Sequence, residues 1–365
     1  MTQRTIAALV AVPLLLALFA VAVFTPLPYA TYAPGLTVDV LGTTEDDGKG
    51  SGDGETKETE ETGEVEIIQV DGHEVYRDEG QLRMTTVFVS LPGAEKTLPE
   101  LIGAWFDEDR AVYPYDAVHD EDETVEESRR TGAIDMVSSQ DQAVAVALEE
   151  LGYQVTPAVM AAYIEKDTPA EGVLEVGDLF LRVNGTAVSA PDQMAELVAA
   201  TPEGEPVEID LLRDGEERTV MLLPEQVDGQ ARVGVTLGTG YRFPFEVSVN
   251  IDAQIGGPSA GLMFSLAIYD ALTPGALTGG KSVAGTGTIS ADGEVGPIGG
   301  IQQKIAGARR DGADLFLVPE DNCADALGAE AGDMRLVRAT TMHEARLAIE
   351  AYAEDPDAKL PSCED

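Results

Sequence analysis

A glycine-glycine-proline break directly before a long apolar segment is the feature that most constrains this chain. Gly256, Gly257 and Pro258 precede Ser259, and the segment that follows is mostly apolar through residue 268. This pattern predicts a buried helix that begins at Ser259, with the hydroxyl beside unpaired backbone N–H groups. Such groups are able to stabilise a developing oxyanion. The alternative is that Ser259 only caps the helix, as serine often does.

The charge of the chain excludes several classes of function. Its 365 residues carry a formal net charge of −43, which argues against nucleic acid as a partner because phosphate contacts require a basic surface. It also argues against docking on anionic lipid through a basic patch, and we interpret it as a solubilising acidic surface. The three histidines are scattered and the two cysteines are too few for a tetrahedral zinc site. We therefore predict no metal centre and no cofactor.

An uncharged segment near the N-terminus predicts a membrane anchor within residues 1–28. Residues 6–24 carry no charge, and about 20 apolar residues are needed to cross a bilayer as a helix. A signal peptide is the alternative, but its apolar region is usually only about 7–15 residues long. Arg4 precedes the span and no Lys or Arg follows until Lys49, so the positive-inside rule places the bulk of the chain outside the cytoplasm. The expected localisation is the cell membrane, with a single pass.

The next two segments differ sharply in composition. Residues 29–64 are predicted to be a linker, and within them residues 43–64 have no large apolar side chain. Such a composition cannot form a packed core, which indicates an acidic disordered insertion. Residues 65–152 are predicted to be an α/β region. Its expected elements are strands over 65–70 and 82–89, a charged loop over 116–130 and a helix over 139–151.

Residues 153–228 contain a compact series of turn, helix and strand signals. An Asn184-Gly185 turn, a helix over 191–199 and two alternating strands around Asp214-Gly215 follow one another closely. The spacing of Thr-Pro-Ala-x-Gly, Gly-Asp and Val-Asn-Gly from residue 168 to residue 185 resembles a bacterial PDZ domain. The resemblance implies a groove that binds an extended peptide, often a C-terminus, by strand addition. The alternative is a PDZ-like unit that serves only as a spacer.

The segment 229–355 alternates strand and helix signals and contains a lysine in an unusual position. In the helix predicted over 301–310, Lys304 lies between Ile301, Ile305 and Ala308 on the apolar face. Burial would lower the pKa of this lysine because desolvation disfavours the charged form, and a neutral lysine can act as a general base. The alternative is a lysine that extends along the apolar face to reach solvent.

These motifs together resemble the proteolytic domain of the Lon family. In order, they are Gly257-Pro258-Ser259-Ala260-Gly261, Thr286-Gly287, and the run from Gly293 through Pro297-Ile298-Gly299-Gly300 to Lys304. The resemblance implies a Ser–Lys dyad with Ser259 as nucleophile, Lys304 as base and Thr286 as a support for the lysine. ATP-dependent members often have an aspartate three residues before the serine, where this chain has Gly256.

One further motif points to a different function. Residues 275–282 fit the pattern of a phosphate-binding loop, with Lys281 as its lysine. That loop requires a strand before it and a helix after it, whereas here a helix precedes and a strand-like segment follows. We therefore predict neither nucleotide binding nor an ATP-driven unfolding motor.

The sequence thus predicts a multidomain α+β protein with a transmembrane helix, a PDZ domain and a Lon-type proteolytic domain, followed by a polar tail over 356–365. The expected function is an ATP-independent serine endopeptidase that cleaves flexible or membrane-associated proteins selected by the PDZ domain. The alternative is a catalytically silent PDZ adaptor on the same scaffold. Lon-type domains often form rings, so a homo-oligomer is left open. Cys323 and Cys363 would both lie where disulfides persist, but their spacing leaves open whether they pair.

Overall fold

A computed structural model describes residues 3–45, 63–227 and 229–364, with side chains described from residue 9 onward except at residue 45. The helices are α1 (Gln3–Phe24), α2 (Leu98–Trp105), α3 (Val125–Glu150), α4 (Pro191–Ala199), α5 (Gly261–Leu272), α6 (Ile301–Arg310), α7 (Cys323–Ala326) and α8 (Met342–Glu354). The strands are β1 (Tyr29–Asp39), β2 (Thr43–Glu45), β3 (Glu64–Glu66), β4 (Ile68–Asp71), β5 (Gln81–Val89), β6 (Ala111–Pro114), β7 (Thr156–Ile164), β8 (Leu179–Val183), β9 (Thr186–Ala187), β10 (Val207–Arg213), β11 (Glu216–Leu222), β12 (Glu225–Val227), β13 (Gln230–Arg232), β14 (Val235–Arg242), β15 (Glu246–Val249), β16 (Ser282–Gly285), β17 (Thr288–Ile289), β18 (Val295–Gly296), β19 (Leu315–Pro319) and β20 (Arg335–Ala339).

A six-stranded mixed sheet forms the centre of the larger unit, in the order β20-β19-β16-β5-β1-β6. Three of its strands precede the PDZ-like segment in sequence and three follow it, so this unit is discontinuous in the chain. Side chains alternate between its two faces because successive residues of a strand point to opposite sides. Leu315 and Leu317 of β19 join a core with α3, α5 and α8, whereas Phe316 and Val318 join a core with α6.

The prediction that residues 29–64 form a linker is wrong for β1, which lies between β5 and β6 in this sheet. Pro34 and Gly35 are loop signals in sequence, but here they fall at a register shift in the pairing with β5. A Cβ on Gly35 would lie 2.2 Å from the side chain of Thr86, so the close approach of the two strands requires glycine. The predicted acidic insertion lies mostly in residues 46–62, outside the described residues.

The PDZ-like unit is built on a second sheet, in the order β11-β10-β8-β7-β14. The helix predicted over 191–199 and the hairpin at Asp214-Gly215 are confirmed as α4 and as the β10–β11 pair. The predicted boundary at residue 228 divides this sheet, however, because β14 pairs along its length with β7. The unit therefore extends to Arg242, and its apolar core includes Val233.

Helix α3 is longer than predicted and begins inside the segment that we expected to be a charged loop. Thr124 and Glu127 form a capping box, in which each side chain accepts a hydrogen bond from the backbone N–H of the other residue. Glu126 and Glu127 lie in the first turn, where acidic side chains interact favourably with the helix dipole. The acidic residues of this segment therefore stabilise the N-terminal end of a helix, whereas we expected them to indicate a loop.

Helix α1 covers most of the predicted N-terminal anchor, and most of its described apolar side chains, including Leu15, Phe19 and Phe24, are exposed. Among the residues that the structure describes, no helix is both long and apolar enough to span a membrane. That finding does not support the transmembrane span predicted over residues 6–24, of which residues 6–8 lie outside the described side chains.

The C-terminal segment packs on the larger unit. A disulfide joins Cys323 of α7 to Cys363, with their Cα atoms 5.0 Å apart. Leu360 is buried, and the Arg338 N–H donates to the Pro361 carbonyl oxygen. The segment predicted to be a polar tail is therefore held against the domain over most of its length.

Candidate active site

Ser259 lies in the loop between β15 and α5. The helix begins at Gly261 with Ala260 as its N-cap residue, and no side chain caps it. The alternative that Ser259 serves as the helix cap is therefore wrong. The helix is buried on nearly all sides, as its continuous apolar sequence requires, and this burial fixes the loop that carries the serine.

The second residue of the site is Lys304, which lies on α6 and whose side chain reaches Ser259. Its side chain is 2% exposed, so the alternative that it extends to solvent is also wrong. Nζ donates to the Ser259 Oγ at 2.9 Å and to the Thr85 carbonyl oxygen of β5 at 2.7 Å. Burial lowers the pKa of Lys304 to about 7, because desolvation disfavours the charged ammonium.

The start of α6 is held by a side chain from a neighbouring turn. The Ile298 N–H donates to Asn322 Oδ1 at 2.8 Å, and Asn322 Nδ2 donates to the Ile298 carbonyl oxygen at 3.0 Å. Gly300 then adopts a left-handed conformation, with φ of 71°, at the point where the chain turns into α6. These features determine where the lysine-bearing helix begins.

Thr286 lies beside the pair but contacts the serine backbone, whereas the sequence suggested that it supports the lysine. Its buried hydroxyl donates to the Ser259 carbonyl oxygen at 2.9 Å, and the Gly287 N–H donates to the same oxygen at 2.9 Å. The second partner of Lys304 is the Thr85 carbonyl. Sequence reasoning missed Thr85, because a backbone acceptor leaves no signal in residue type.

A cavity of about 270 Å³ opens onto the pair. Apolar side chains from four segments line it, namely Leu36, Met84, Phe88, Met136 and Ile255. Strand β5 passes along this cavity, and its pairing with β16 ends at Met84. The site therefore combines a serine, a buried lysine and an apolar strand-lined cleft.

The backbone of α3 occupies the space beside Gly256. The Gly257 N–H donates to the Gly132 carbonyl oxygen at 2.8 Å, and a Cβ on Gly256 would lie only 3.1 Å from the Gly132 carbonyl carbon. This packing explains why glycine stands at the position where the resemblance suggests an aspartate. Sequence reasoning missed Gly132 because it lies between the loop predicted over 116–130 and the helix predicted over 139–151, where no element was assigned.

The segment that resembles a phosphate-binding loop has a structural role. Lys281 Nζ donates to the carbonyl oxygens of Tyr352 at 3.2 Å and Ala353 at 3.0 Å, at the C-terminal end of α8. A cation is favourable there because the last carbonyl groups of a helix lack backbone partners. Strand β16 follows directly, as predicted.

A second cleft, which we call the PDZ groove, lies on the smaller unit and has a volume of about 400 Å³. It is bounded by α4, the β12–β13 hairpin and the β14 strand. Met194 and Ala195 of α4 face Val235 and Leu237 of β14 across it. An apolar trough between a helix and an edge strand suits an extended peptide that adds to the sheet.

Comparison with known proteins identifies both units. Residues 253–335 match the family described as the Lon protease (S16) C-terminal proteolytic domain, and residues 137–223 match the PDZ domain family. Both domains are therefore present in this chain. The Lon match lies within the second half of the discontinuous unit and includes Ser259 and Lys304.

Individual Lon proteases match part of this chain. Lon protease 2 of Herpetosiphon aurantiacus is 44% identical over 91 residues, which is 24% of this chain and 11% of that protein. Lon protease 1 of Bacillus subtilis is 42% identical over 69 residues, 19% of this chain and 9% of that protein. The mitochondrial Lon protease homolog of Debaryomyces hansenii is 44% identical over 70 residues, 18% of this chain and 6% of that protein. The chain thus spans about a tenth or less of the length of these relatives.

Among solved structures, the PDZ domain of the SdrC-like protein of Listeria innocua is 18% identical, with 22% of this chain and 92% of that chain covered and a TM-score of 0.21. The corresponding domain from Listeria monocytogenes is 22% identical, with 22% and 86% covered and a TM-score of 0.21. Similarity at this level supports no conclusion about the function of this chain.

Proposed function

We propose that this protein is an ATP-independent serine endopeptidase that uses a Ser259–Lys304 dyad. The observation that carries the proposal is the 2.9 Å contact between Ser259 Oγ and the buried Lys304 Nζ. A lysine with a pKa near 7 is substantially neutral at physiological pH and can accept a proton. The match of residues 253–335 to the Lon proteolytic domain family includes both residues and supports the same reaction class.

The reaction would proceed through an acyl-enzyme. Neutral Lys304 takes the Ser259 hydroxyl proton as Oγ attacks the carbonyl carbon of the substrate, and the N-terminal end of α5 stabilises the oxyanion. The lysine then gives its proton to the leaving amine, and the peptide C–N bond breaks. The neutral lysine next deprotonates a water molecule that attacks the ester carbonyl carbon. As the bond from that carbon to Oγ breaks, the lysine gives this proton to Oγ and the serine is restored. The Thr85 carbonyl holds Nζ in place throughout.

The decisive experiment for this proposal is to replace Ser259 with alanine. Full-length protein in detergent micelles is incubated with casein or a fluorogenic peptide, and we expect Ser259→Ala to lower kcat by roughly a thousandfold or more. Ser265→Ala serves as the control, because this neighbouring hydroxyl donates within α5 to the Leu262 carbonyl oxygen, and it should retain turnover. Robust cleavage by Ser259→Ala would contradict the proposal.

We further propose that the PDZ groove selects substrates by binding an extended segment of the protein to be cut. The apolar lining and the edge position of β14 support this role. ATP independence is supported by the engagement of Lys281 with α8. Without a motor, the substrates would be proteins with flexible or already unfolded segments, including membrane-associated ones.

The exposed apolar side chains of α1 support a third proposal, attachment to a cell membrane with the catalytic unit outside the cytoplasm. Leu9, Leu15 and Phe19 are each more than half exposed, and contiguous exposed apolar surface marks an interaction site. We expect the full chain to stay in the membrane pellet after carbonate extraction, and a variant lacking residues 1–24 to be released. Recovery of the full chain in the soluble fraction would contradict this proposal.

A further inference from the structure

Helix α3 holds the loop that carries Ser259 on both sides of Pro258. Its Gly132 carbonyl accepts a hydrogen bond from the Gly257 N–H at 2.8 Å. Its Ser139 hydroxyl, which is buried, donates to the Pro258 carbonyl oxygen at 3.1 Å. The peptide groups immediately before Ser259 are therefore positioned by α3.

The same helix rests on β14, the strand that borders the PDZ groove. Arg130 donates to Thr236 Oγ1 at 3.0 Å and to Glu165 Oε1 at 2.6 Å. About three turns further along, Asp141 accepts a hydrogen bond from the Tyr241 N–H at 3.2 Å. The two contacts to the serine loop, at Gly132 and Ser139, thus lie between the two contacts to β14 along one continuous segment of α3.

Glycine residues allow α3 to lie close to both elements, Gly240 where α3 meets β14 and Gly256 where α3 meets the serine loop. A Cβ on Gly240 of β14 would lie 2.9 Å from Asp141 Oδ2 and 2.8 Å from the Met160 Cβ. A Cβ on Gly256 would lie 3.1 Å from the Gly132 carbonyl carbon. Such packing leaves little room for β14 to shift without moving α3, or for α3 to shift without moving the serine loop.

The residues of β14 that line the groove lie beside those that contact α3. Val235 and Leu237 line the groove, while Thr236 between them bonds to Arg130. Glu165 lines the groove and also bonds to Arg130. A peptide bound in the groove would therefore contact the same short stretches of chain whose side chains bond to Arg130 of α3.

We propose that α3 couples the PDZ groove to the catalytic serine, so that occupancy of the groove changes kcat and does not merely increase the local substrate concentration. This inference rests on the proposed peptidase function. A groove that only tethers the substrate changes KM, whereas a groove coupled through α3 changes kcat for a short peptide that never enters it.

To test this coupling, a covalently attached label is placed in the PDZ groove. Cys323 and Cys363 are joined in a disulfide and the described residues include no free cysteine, so an Ala195→Cys variant of the full chain can be labelled selectively with fluorescein maleimide. Ala195 is exposed and lines the groove. We expect labelling to change kcat for a short fluorogenic peptide by about fivefold or more. The same label on Glu217→Cys, at an exposed position of β11, should leave kcat unchanged.

A second pair of variants tests the route. Arg130→Ala in the labelled Ala195→Cys protein should remove most of the difference between labelled and unlabelled enzyme. Arg129→Ala, which changes an exposed arginine on the same helix, should preserve the difference. Equal kcat before and after labelling of Ala195→Cys would overturn the coupling, and an effect that persists fully in Arg130→Ala would overturn the route through α3.

Hydrogen exchange separates failure of this inference from failure of the proposed peptidase function. The Gly257 amide donates to α3, so labelling at Ala195→Cys should change its exchange rate by about fivefold, even in a Ser259→Ala background. An unchanged exchange rate would contradict the coupling. Absence of any peptide turnover that depends on Ser259 would contradict the peptidase proposal alone.

Discussion

Replacing Lys304 with methionine is expected to lower kcat/KM for peptide hydrolysis by roughly a thousandfold or more. General acid–base catalysis contributes about 10²–10⁴-fold, and Lys304 Nζ, 2.9 Å from Ser259 Oγ, is the base in the proposed reaction. Methionine has a similar length and is apolar, so it suits a site where the lysine is 2% exposed. Hydrolysis of a fluorogenic peptide measures the loss.

The pH profile of the wild-type enzyme follows from the same residue. Burial lowers the pKa of Lys304 to about 7, and only the neutral amine can accept the Ser259 proton. We therefore expect kcat/KM to rise about tenfold per pH unit below pH 7 and to level off above it. A profile that stays flat from pH 6 to pH 9 would contradict the role of Lys304 as base.

Stability gives an independent measurement on the same variant. Between pH 7 and 10.5 the unfolded chain carries a protonated Lys304 and the folded chain a neutral one. The unfolded state therefore binds more protons, and the stability of the wild type should rise with pH across this window. Lys304→Met removes this dependence, and near neutral pH it should unfold at a higher Tm than the wild type. A loss of activity with raised Tm cannot be attributed to unfolding.

Lys281→Met is the matched control for Lys304→Met. Lys281 donates to two carbonyl oxygens at the end of α8, so its loss should lower stability modestly and leave peptide hydrolysis intact. The carboxyls of Asp141 and Asp270 also titrate with folding, but they change the stability in a lower pH range than Lys304 does. Burial raises the pKa of Asp141 to about 7 and that of Asp270 to about 6, so both make stability fall as pH rises from about 4 toward neutrality, below the window of Lys304.

The second large expected effect is on KM for a protein substrate, when an arginine is introduced into the wall of the PDZ groove. Ala195→Arg places a long charged side chain in the apolar trough between α4 and β14, where an extended peptide would have to add. We expect KM for casein to rise about tenfold, which corresponds to about 1.4 kcal/mol of binding free energy. KM for a short fluorogenic peptide, which does not need the groove, should stay close to the wild-type value.

Glu217→Arg is the control for this prediction, because it adds the same side chain at an exposed position of β11, on the opposite edge of the sheet from β14. It should leave both KM values unchanged. If Ala195→Arg and wild type have the same KM for casein, the PDZ domain acts as a spacer, which was the alternative left open by the sequence.

Several elements and the two central residues of the site were predictable because their signals are local. The apolar face of α6, the β10–β11 hairpin and the glycine-rich segment before Ser259 each follow from residues close together in the chain. Ser259 and Lys304 could be identified because they lie in a series of sequence motifs, and because their own side chains perform the proposed chemistry. The structure brings these two side chains into contact, as the dyad requires.

What the sequence did not reveal depends on backbone partners that are distant in the chain. Strand β1 contains Pro34 and Gly35, so it resembles a loop until β5 and β6 pair with it. The Thr85 carbonyl that holds Lys304 is a group that every residue possesses, so no pattern marks it. Gly132 fits against Gly256 only because α3 crosses the serine loop there.

The sequence by itself determined the two domain types, the dyad candidates and the acidic character of the chain, since these reside in side-chain identity and spacing. The tertiary structure alone decided that the catalytic unit is assembled from segments on both sides of the PDZ domain. It also decided that β14 belongs to the PDZ sheet and that α3 contacts both the groove strand and the serine loop. Strand pairing and helix packing are set by long-range contacts between backbones. Such contacts place few constraints on residue type, so the sequence carries little signal of them.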